Sequence, residues 1–319
     1  MGSSVAVKFI IVSADEAGQR IDNFLVRHYK KVPKTRLYRA IRKGEVRVNK
    51  GRIKASYHLC AGDKVRMPPL YQPEPNVVTA GPSQSLQRVL AKSVILENDK
   101  VLVINKPSGL PVHGGTGRSC GLIEALRYMR PEAPFLELVH RLDKGTSGCL
   151  VIAKKRSYLR SLHALLRARQ VHKEYYVLLQ GRLQQGRQTV TAPLYKMAET
   201  SGERYVRVDA KVGKEAHSCF TAVVSNDYAT LALVKIRTGR THQIRVHAAY
   251  LGHPVAGDDK YGDESFNLNM RGHGLDRLFL HARSIAFGHS DQEGSLAVQA
   301  ALPLELLDVA LSAGLKVVK

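Results

Sequence analysis

The stretch His140-Arg141-Leu142-Asp143-Lys144-Gly145-Thr146-Ser147-Gly148 decides how the rest of the chain is read. It follows the apolar run Phe135-Leu136-Glu137-Leu138-Val139 and leads into Cys149-Leu150-Val151-Ile152-Ala153, whose unbroken hydrophobicity predicts a buried strand. Two glycines within four residues let the backbone turn sharply and approach a ligand closely. One carboxylate, Asp143, lies between two cations, Arg141 and Lys144. Neighbouring positive charge favours an ionised acid. By itself the pattern fits a surface turn with a local ion pair as well as it fits a reactive carboxylate.

Working outward, 319 residues provide for one large domain or two of ordinary size. The apolar fraction of 44% and charged fraction of 24% are those of a soluble globular protein. The charge is the outlier, at +22 with an isoelectric point near 10.0. That excess favours a polyanionic partner. No apolar run approaches the roughly 20 residues of a membrane span. The start, Met1-Gly2-Ser3-Ser4-Val5-Ala6-Val7, lacks the charged and apolar regions of a signal peptide, and Ala6 breaks the myristoylation pattern that Met1-Gly2 begins. Cys60, Cys120, Cys149 and Cys219 are far apart, without a C-x-x-C pair. They predict reduced thiols in a cytoplasmic protein and no structural zinc. Nucleic acid is the leading partner, with no membrane and no metal.

Residues 1–70 carry 16 Lys/Arg against 5 Asp/Glu, half of the whole excess in less than a quarter of the length. Ile21, Phe24, Leu25 and His28 fall at helical spacing. Pro33 starts a second helix over about 34–43, with Gly44 as its stop. Leu37, Ala40 and Ile41 make its apolar face, and Lys34, Arg36, Arg39, Arg42 and Lys43 crowd the remainder. With so few acids nearby, these five residues are candidate phosphate contacts. Val46-Arg47-Val48-Asn49 predicts a strand, Lys50-Gly51 a turn, and the segment from Ala61 to Met67 another turn and strand. The pieces Ala17-Gly18-Gln19-Arg20-Ile21-Asp22, Arg36 to Gly44, Val46 to Asn49 and Ala61-Gly62-Asp63 occur in an order that resembles the S4 RNA-binding domain. The resemblance covers about 18–80 and implies a small α/β module whose basic helix pair docks on structured RNA.

From Pro68 to about Ser85 there are five prolines and no Lys or Arg, the composition of a linker. We therefore divide the chain into 1–80, the S4-like domain and the start of the linker; 81–92, the linker; and 93–319, a second, larger domain. A hairpin over 94–105 leads into Lys106-Pro107-Ser108-Gly109. Gly114-Gly115-Thr116-Gly117 completes neither a P-loop nor a dinucleotide motif, so it predicts a mobile loop. Ser157 to Arg169 predicts a helix, and strands follow at 173–179, 189–193, 205–211, 219–224 and 229–236. Short turns between them imply a largely antiparallel sheet. In Gly239-Arg240-Thr241-His242-Gln243-Ile244-Arg245-Val246-His247, Thr241 is the expected N-cap of a helix reaching about Leu251. A strand over 277–282 and a closing helix over about 303–313 complete an α+β reading.

Singly, a tyrosine on a strand or an arginine on a helix signals packing or surface. Together, Lys106-Pro107-Ser108-Gly109, the Asp143 loop, the strand with Tyr175 and the segment Gly239 to His247 resemble the RluA-type family of pseudouridine synthases over about 8–310. The resemblance is closest to members that act on the large ribosomal subunit. It implies the pseudouridine synthase fold, a mixed, largely antiparallel sheet, behind an S4 domain. The implied reaction is isomerisation of uridine at several positions of 23S rRNA, with no cofactor. On that resemblance Asp143 is the indispensable aspartate, which either attacks C1′ or removes a proton from C2′. Arg245 is its ion-pair partner, offsetting the desolvation of an ionised carboxylate. The Tyr175 ring stacks on the uracil and its hydroxyl helps to remove the C5 proton. Arg141 enters the RNA stack and holds the target nucleotide out. A monomer is expected. Two rivals remain: a glycoside hydrolase using Asp258 or Asp259 as second carboxylate, and a non-catalytic RNA-binding factor.

Overall fold

The computed structural model describes residues 7–29, 32–70, 81–114, 120–183, 187–197, 205–288 and 295–316. Residues 1–6, read above for leader and lipidation signals, the central part of the proline-rich stretch (71–80) and the glycine run at 115–117 lie outside them. The chain forms two compact units, 1–80 and 81–319.

In the first unit, β1 (Lys8–Ile11), α1 (Ile21–His28), α2 (Lys34–Arg42), β2 (Arg47–Val48), β3 (Gly51–Arg52) and β4 (Lys64–Met67) make an antiparallel sheet of order β1-β4-β2-β3 beside a helix pair. The helices bury the faces that their periodicity marks: Ile21, Phe24 and Leu25 from α1, and Leu37, Ala40 and Ile41 from α2. They share one core with Val46, Val48 and Val65. The β2–β3 turn is centred one residue earlier than expected, because Asn49 and Lys50 take the left-handed φ values (49° and 68°) of a two-residue hairpin turn. Asparagine accepts that conformation readily. Buried Asp22 is held by Arg20 (2.7 Å) and the Tyr38 hydroxyl (2.9 Å), tying the start of α1 to α2.

The stretch 81–92 is not a linker throughout. Gln84–Lys92 form α3, whose first turn is capped by Ser83 Oγ accepting the Leu86 N–H (3.2 Å), and Leu90 is fully buried in the catalytic core. Proline composition concealed a helix start here, since Pro82 immediately precedes the capping serine.

The predicted hairpin follows as β5 (Val94–Glu97) and β6 (Val101–Lys106). The helix α4 (Leu122–Met129), not read from the sequence, buries Leu122, Ile123, Ala125 and Leu126. Next come β7 (Glu137–Leu138), β8 (Ser147–Ala153), α5 (Arg156–Arg167), β9 (Val171–Gln180), β10 (Arg187–Val190), β11 (Leu194–Lys196), β12 (Val206–Val208), β13 (Ser218–Ser225) and β14 (Ala229–Ile236). The chain closes with α6 (Gln243–Tyr250), α7 (Glu264–Gly272), β15 (Leu280–Phe287), β16 (Leu296–Gln299) and α8 (Leu304–Ser312). The main sheet runs β10-β13-β14-β9-β15-β8-β6-β5, with β16 beside β15 and β7 beside β8. Its pairs are antiparallel except β8 with β15, which are parallel. The fold is thus α+β on a mixed, largely antiparallel sheet.

That parallel junction positions the site. His281 pairs with Ser147 and Ala282 with Gly148, while Ala282 on its other side faces Tyr175 of β9. One lateral row therefore carries Gly148 and Tyr175, and the loop with Asp143 enters beside it. Gly148 has φ +109°, and a Cβ there would lie 2.2 Å from the Ala282 carbonyl oxygen. Gly145 in the same loop would place its Cβ 3.4 Å from a Leu278 side-chain atom, an ordinary contact. Gly148→Ala is therefore expected to cost at least about 2 kcal/mol and lower Tm by roughly 5 °C or more. Gly145→Ala should stay within about 1 °C of the parent. Equal thermal melts for the two would contradict the junction argument.

Candidate active site

The Asp143 loop is clamped from both sides. Behind it, the His140 ring accepts the Val151 N–H through Nε2 (3.2 Å), and desolvation together with the nearby Lys173 charge pushes its pKa down to about 3. A neutral imidazole thus fixes the loop to β8. In front, the Gly109 N–H donates to the Lys144 carbonyl (2.9 Å) and Ser108 Oγ donates to the Gly145 carbonyl (2.8 Å). Lys106 is wholly buried beneath both loops, its Nζ donating to the carbonyls of Pro107 (2.8 Å), Leu110 (2.7 Å) and Lys144 (3.1 Å). Burial and the Arg277 charge lower its pKa to about 7, against the opposing pull of Asp143. The Lys106-Pro107-Ser108-Gly109 motif is therefore a brace for the aspartate loop, a role its sequence does not disclose.

The next brace crosses the parallel junction. Arg277 Nη2 donates to Ser147 Oγ (2.6 Å), which lies 2.9 Å from His281 Nδ1. His281 Nε2 faces the Ala300 carbonyl (3.2 Å). A carbonyl only accepts, so Nε2 carries the proton and Nδ1 accepts from the serine. Burial holds this histidine neutral, lowering its pKa to about 4.

Asp143 itself is half-buried and faces a cleft of about 970 Å³ also lined by Arg141, His242, Arg245, Lys260 and Arg277. Its carboxylate has no hydrogen bond or ion pair among the described residues. Its charge nonetheless reaches Lys106, Tyr175, His242, Arg245 and Tyr261, contributing to the shift of each. The fold thus gathers the three residues expected to carry chemistry, Asp143, Tyr175 and Arg245, from three separate elements. Tyr175 is nearly buried, and burial first, then the Asp143 charge, raises its phenol well above the ordinary value. The hydroxyl is accordingly neutral, so the expected proton removal by Tyr175 lacks its tyrosinate; ring packing and hydrogen-bond donation suit this environment.

Arg245 departs from the expected pairing. Its guanidinium forks onto Asp258, Nε to Oδ2 at 2.7 Å and Nη2 to Oδ1 at 2.6 Å, with side-chain exposures of 12% and 0%. Asp258 Oδ1 also accepts the backbone N–H groups of Lys260 (2.9 Å) and Tyr261 (3.0 Å). Burial opposes both charges, yet the hydrogen bonds and mutual attraction prevail: Arg245 is raised and Asp258 lowered. Asp143 is an electrostatic neighbour of this pair and not its hydrogen-bonded member. A bidentate partner 13 positions away consumes the fork that the sequence reading gave to Asp143. Asp258 is likewise spent as an acid or base, and Asp259 is exposed opposite Arg271 (3.6 Å), so neither supplies the second carboxylate of the hydrolase rival.

Two further residues complete the cleft and were missed. His242, and not Thr241, is the N-cap of α6, held at φ 53° in the left-handed region by flanking contacts. Gln243 Oε1 accepts the Arg240 N–H (3.0 Å) and Gln243 Nε2 donates to the His217 carbonyl (3.0 Å), which pins the residue that follows His242. His242 Nδ1 lies 2.8 Å from the Tyr261 hydroxyl, whose oxygen also accepts the Val206 N–H (2.9 Å), and Arg245 stacks 5.0 Å from the Tyr261 ring centre. His247, by contrast, is structural: it bridges Ser218 Oγ (2.9 Å) and the Ala192 carbonyl (2.9 Å). A glycine-flanked carboxylate in Gly257-Asp258-Asp259-Lys260-Tyr261-Gly262 was the available signal for Asp258 and Tyr261.

Arg141 is exposed where this cleft meets a second of about 690 Å³ lined by Tyr175, Lys173, Arg237 and Arg240, and it forms no ion pair with Asp143. In the N-terminal unit, Lys34, Arg39, Arg42 and Lys43 are exposed on and just after α2, whereas Arg36 is half-buried and pairs with Glu45 (3.3 Å). Among the described residues no group of three or more His, Cys, Asp or Glu is placed to hold a metal ion.

Fold, loop and cleft together define an RNA-modifying architecture. Residues 100–250 match the RNA pseudouridylate synthase family and residues 19–65 the S4 domain, and the chain belongs to the RNA pseudouridylate synthases. It is 52% identical to the ribosomal large subunit pseudouridine synthase C of Pasteurella multocida (strain Pm70), over 94% of this chain and 92% of that protein. It is also 52% identical to the protein of the same name from Escherichia coli (strain K12), over 89% of each. Among solved structures, human RNA pseudouridylate synthase domain containing 4 superposes with TM-score 0.60 at 25% identity, covering 73% of this chain and 97% of that one.

Removing the carboxylate from the Arg245 pair tests the arrangement. Asp258→Asn should cost about 3 kcal/mol of stability, because it leaves a largely buried cation without its partner. The exposed neighbour substitution, Asp259→Asn, should change stability by less than about 0.5 kcal/mol in urea titrations.

Proposed function

We infer that the chain isomerises specific uridines of the large ribosomal subunit RNA, 23S rRNA, to pseudouridine. The observation that carries this reading is an Asp143 carboxylate without a hydrogen bond or ion pair among the described residues, facing the same cleft as Arg245 of the Arg245–Asp258 fork and within electrostatic reach of neutral Tyr175 in the adjoining cleft. Isomerisation breaks the N1–C1′ bond, turns the uracil and rejoins C5 to C1′, with loss of the C5 proton and gain of one at N1. Neither water nor electrons are consumed. A carboxylate free of hydrogen bonds is available for attack on C1′ or for taking the C2′ proton. The fork beside it, oriented by Asp258 through Nε and Nη2, supplies fixed positive charge that stabilises the ionised acid. Tyr175 gives the uracil a flat surface beside the carboxylate.

The target base must leave its helix or loop to enter the cleft, at a cost of a few kcal/mol. Arg141, exposed at the junction of the two clefts, is placed to occupy the vacated space and contact phosphate. The exposed cations of α2 supply the sequence-independent part of RNA affinity. The protein acts as a monomer in the cytoplasm, a compartment that suits its four free cysteines.

Asp143→Asn is expected to abolish pseudouridine formation on 23S rRNA while RNA affinity stays within about three-fold. Pseudouridine mapping together with filter binding distinguishes this from the binding-factor rival, which predicts no modification by either protein. Replacing Arg39, Arg42 and Lys43 together by Gln should weaken RNA binding and reduce the slope of log K against log salt by about 2 to 3. An unchanged slope would remove α2 from the interface.

A further inference from the structure

The sheet of the N-terminal unit has an outer face that the RNA-binding reading of α2 does not use. Pleat and register assign its two sides. Ile10, Val65 and Val48 lie in adjacent register on the core side. Phe9 pairs with Arg66, Arg66 with Arg47, and Arg47 with Arg52, so these four side chains form one row across all four strands on the opposite side. Ile11 and Lys64 make the next row. Phe9 is 58% exposed, unusual for a phenylalanine, and Lys64 Nζ lies 5.0 Å from its ring centre.

A concavity of about 980 Å³ opens on this face, lined by Phe9, Lys43, Arg47, Lys50, Lys64 and Arg66 among others. None of those five cations has an acidic partner among the described residues. The one acid at the rim, Glu45, pairs with Arg36. Two of the guanidiniums are tethered by main-chain carbonyls and so are oriented in advance: Arg66 Nη1 donates to Glu45 O (2.6 Å) and Arg47 Nε to Gly44 O (3.2 Å). An exposed ring beside unneutralised, oriented cations matches one ligand chemistry well. An unpaired nucleotide offers a free base face to the ring and phosphates to the cations, whereas the bases of a duplex are already stacked on one another.

We propose that this outer sheet face is a second RNA site, binding an unpaired nucleotide of the substrate with its base on Phe9 and its flanking phosphates on Lys64, Arg66 and Arg47. The proposal rests on the reading of the chain as an RNA-modifying enzyme. It goes beyond it, because Phe9 precedes residues 19–65, which match the S4 domain, and lies on the side of the sheet away from the core that packs α1 and α2.

The test uses the full-length chain with a single-stranded oligoribonucleotide and a blunt RNA duplex of equal length, read by fluorescence anisotropy. Phe9→Ala should weaken single-strand binding about ten-fold and duplex binding less than two-fold, and Phe9→Tyr should restore the single-strand affinity. Lys64→Gln should lower the salt slope on the single strand by about 0.7. Single-strand affinity unchanged in Phe9→Ala, or lost equally on both RNAs, overturns the proposal. So does loss of ribosomal-particle binding with both RNA affinities intact, which would assign the face to a protein. Pseudouridine formation by the parent chain is scored separately, so a failure of the catalytic reading is seen there and not in the Phe9 binding data.

Discussion

The parallel contact between β8 and β15, made possible by a glycine, is the constraint on which the catalytic unit depends. Everywhere else the main sheet is antiparallel, and neighbouring strands can be joined by short turns. Here Gly148 lies against the Ala282 backbone where no Cβ fits, and the strand leaving the Asp143 loop runs beside one that arrives some 130 residues later. The same row ends on Tyr175. Backbone pairing thus sets Tyr175 in the row of the strand that leaves the Asp143 loop.

Around that row, buried ionisable groups serve as braces. Lys106 holds three carbonyls of the two facing loops, His140 fixes the aspartate loop to β8, and the chain Arg277–Ser147–His281–Ala300 locks β8 to β15. Each is satisfied by hydrogen bonds, which is the condition for burying polar groups at modest cost. Their arrangement leaves the half-buried Asp143 carboxylate at the cleft without a hydrogen-bonded partner among the described residues. Asp258 occupies the Arg245 fork, and the Asp143 charge still lies within electrostatic reach of that guanidinium.

The two units divide the work by chemistry. The catalytic unit gathers a few oriented groups at its clefts. The N-terminal unit carries half of the net charge on less than a quarter of the chain, and its exposed cations lie both on α2 and on the outer sheet face. Affinity that arises from phosphate contacts is tolerant of sequence, so it suits an enzyme whose precision resides in the cleft.

Local pattern was enough for much of this. The apolar faces of α1 and α2, the β5–β6 hairpin and the alternation of short strands follow from spacing and turn chemistry, which act within a few residues, whereas Asp143, Tyr175 and Arg245 were singled out only by the resemblance of their motifs to a family. The helix α3 escaped because the proline-rich stretch that runs up to its capping Ser83 reads as a linker, and α4 was not read at all. What only the tertiary structure decided is pairing across long distances: that Arg245 binds Asp258 and not Asp143, that Lys106 holds carbonyls of both facing loops, that His242 meets the Tyr261 hydroxyl, and that Phe9 faces solvent beside Lys64. Which cation meets which acid depends on backbone register between strands and loops far apart in sequence, and no periodicity along a single segment records that register.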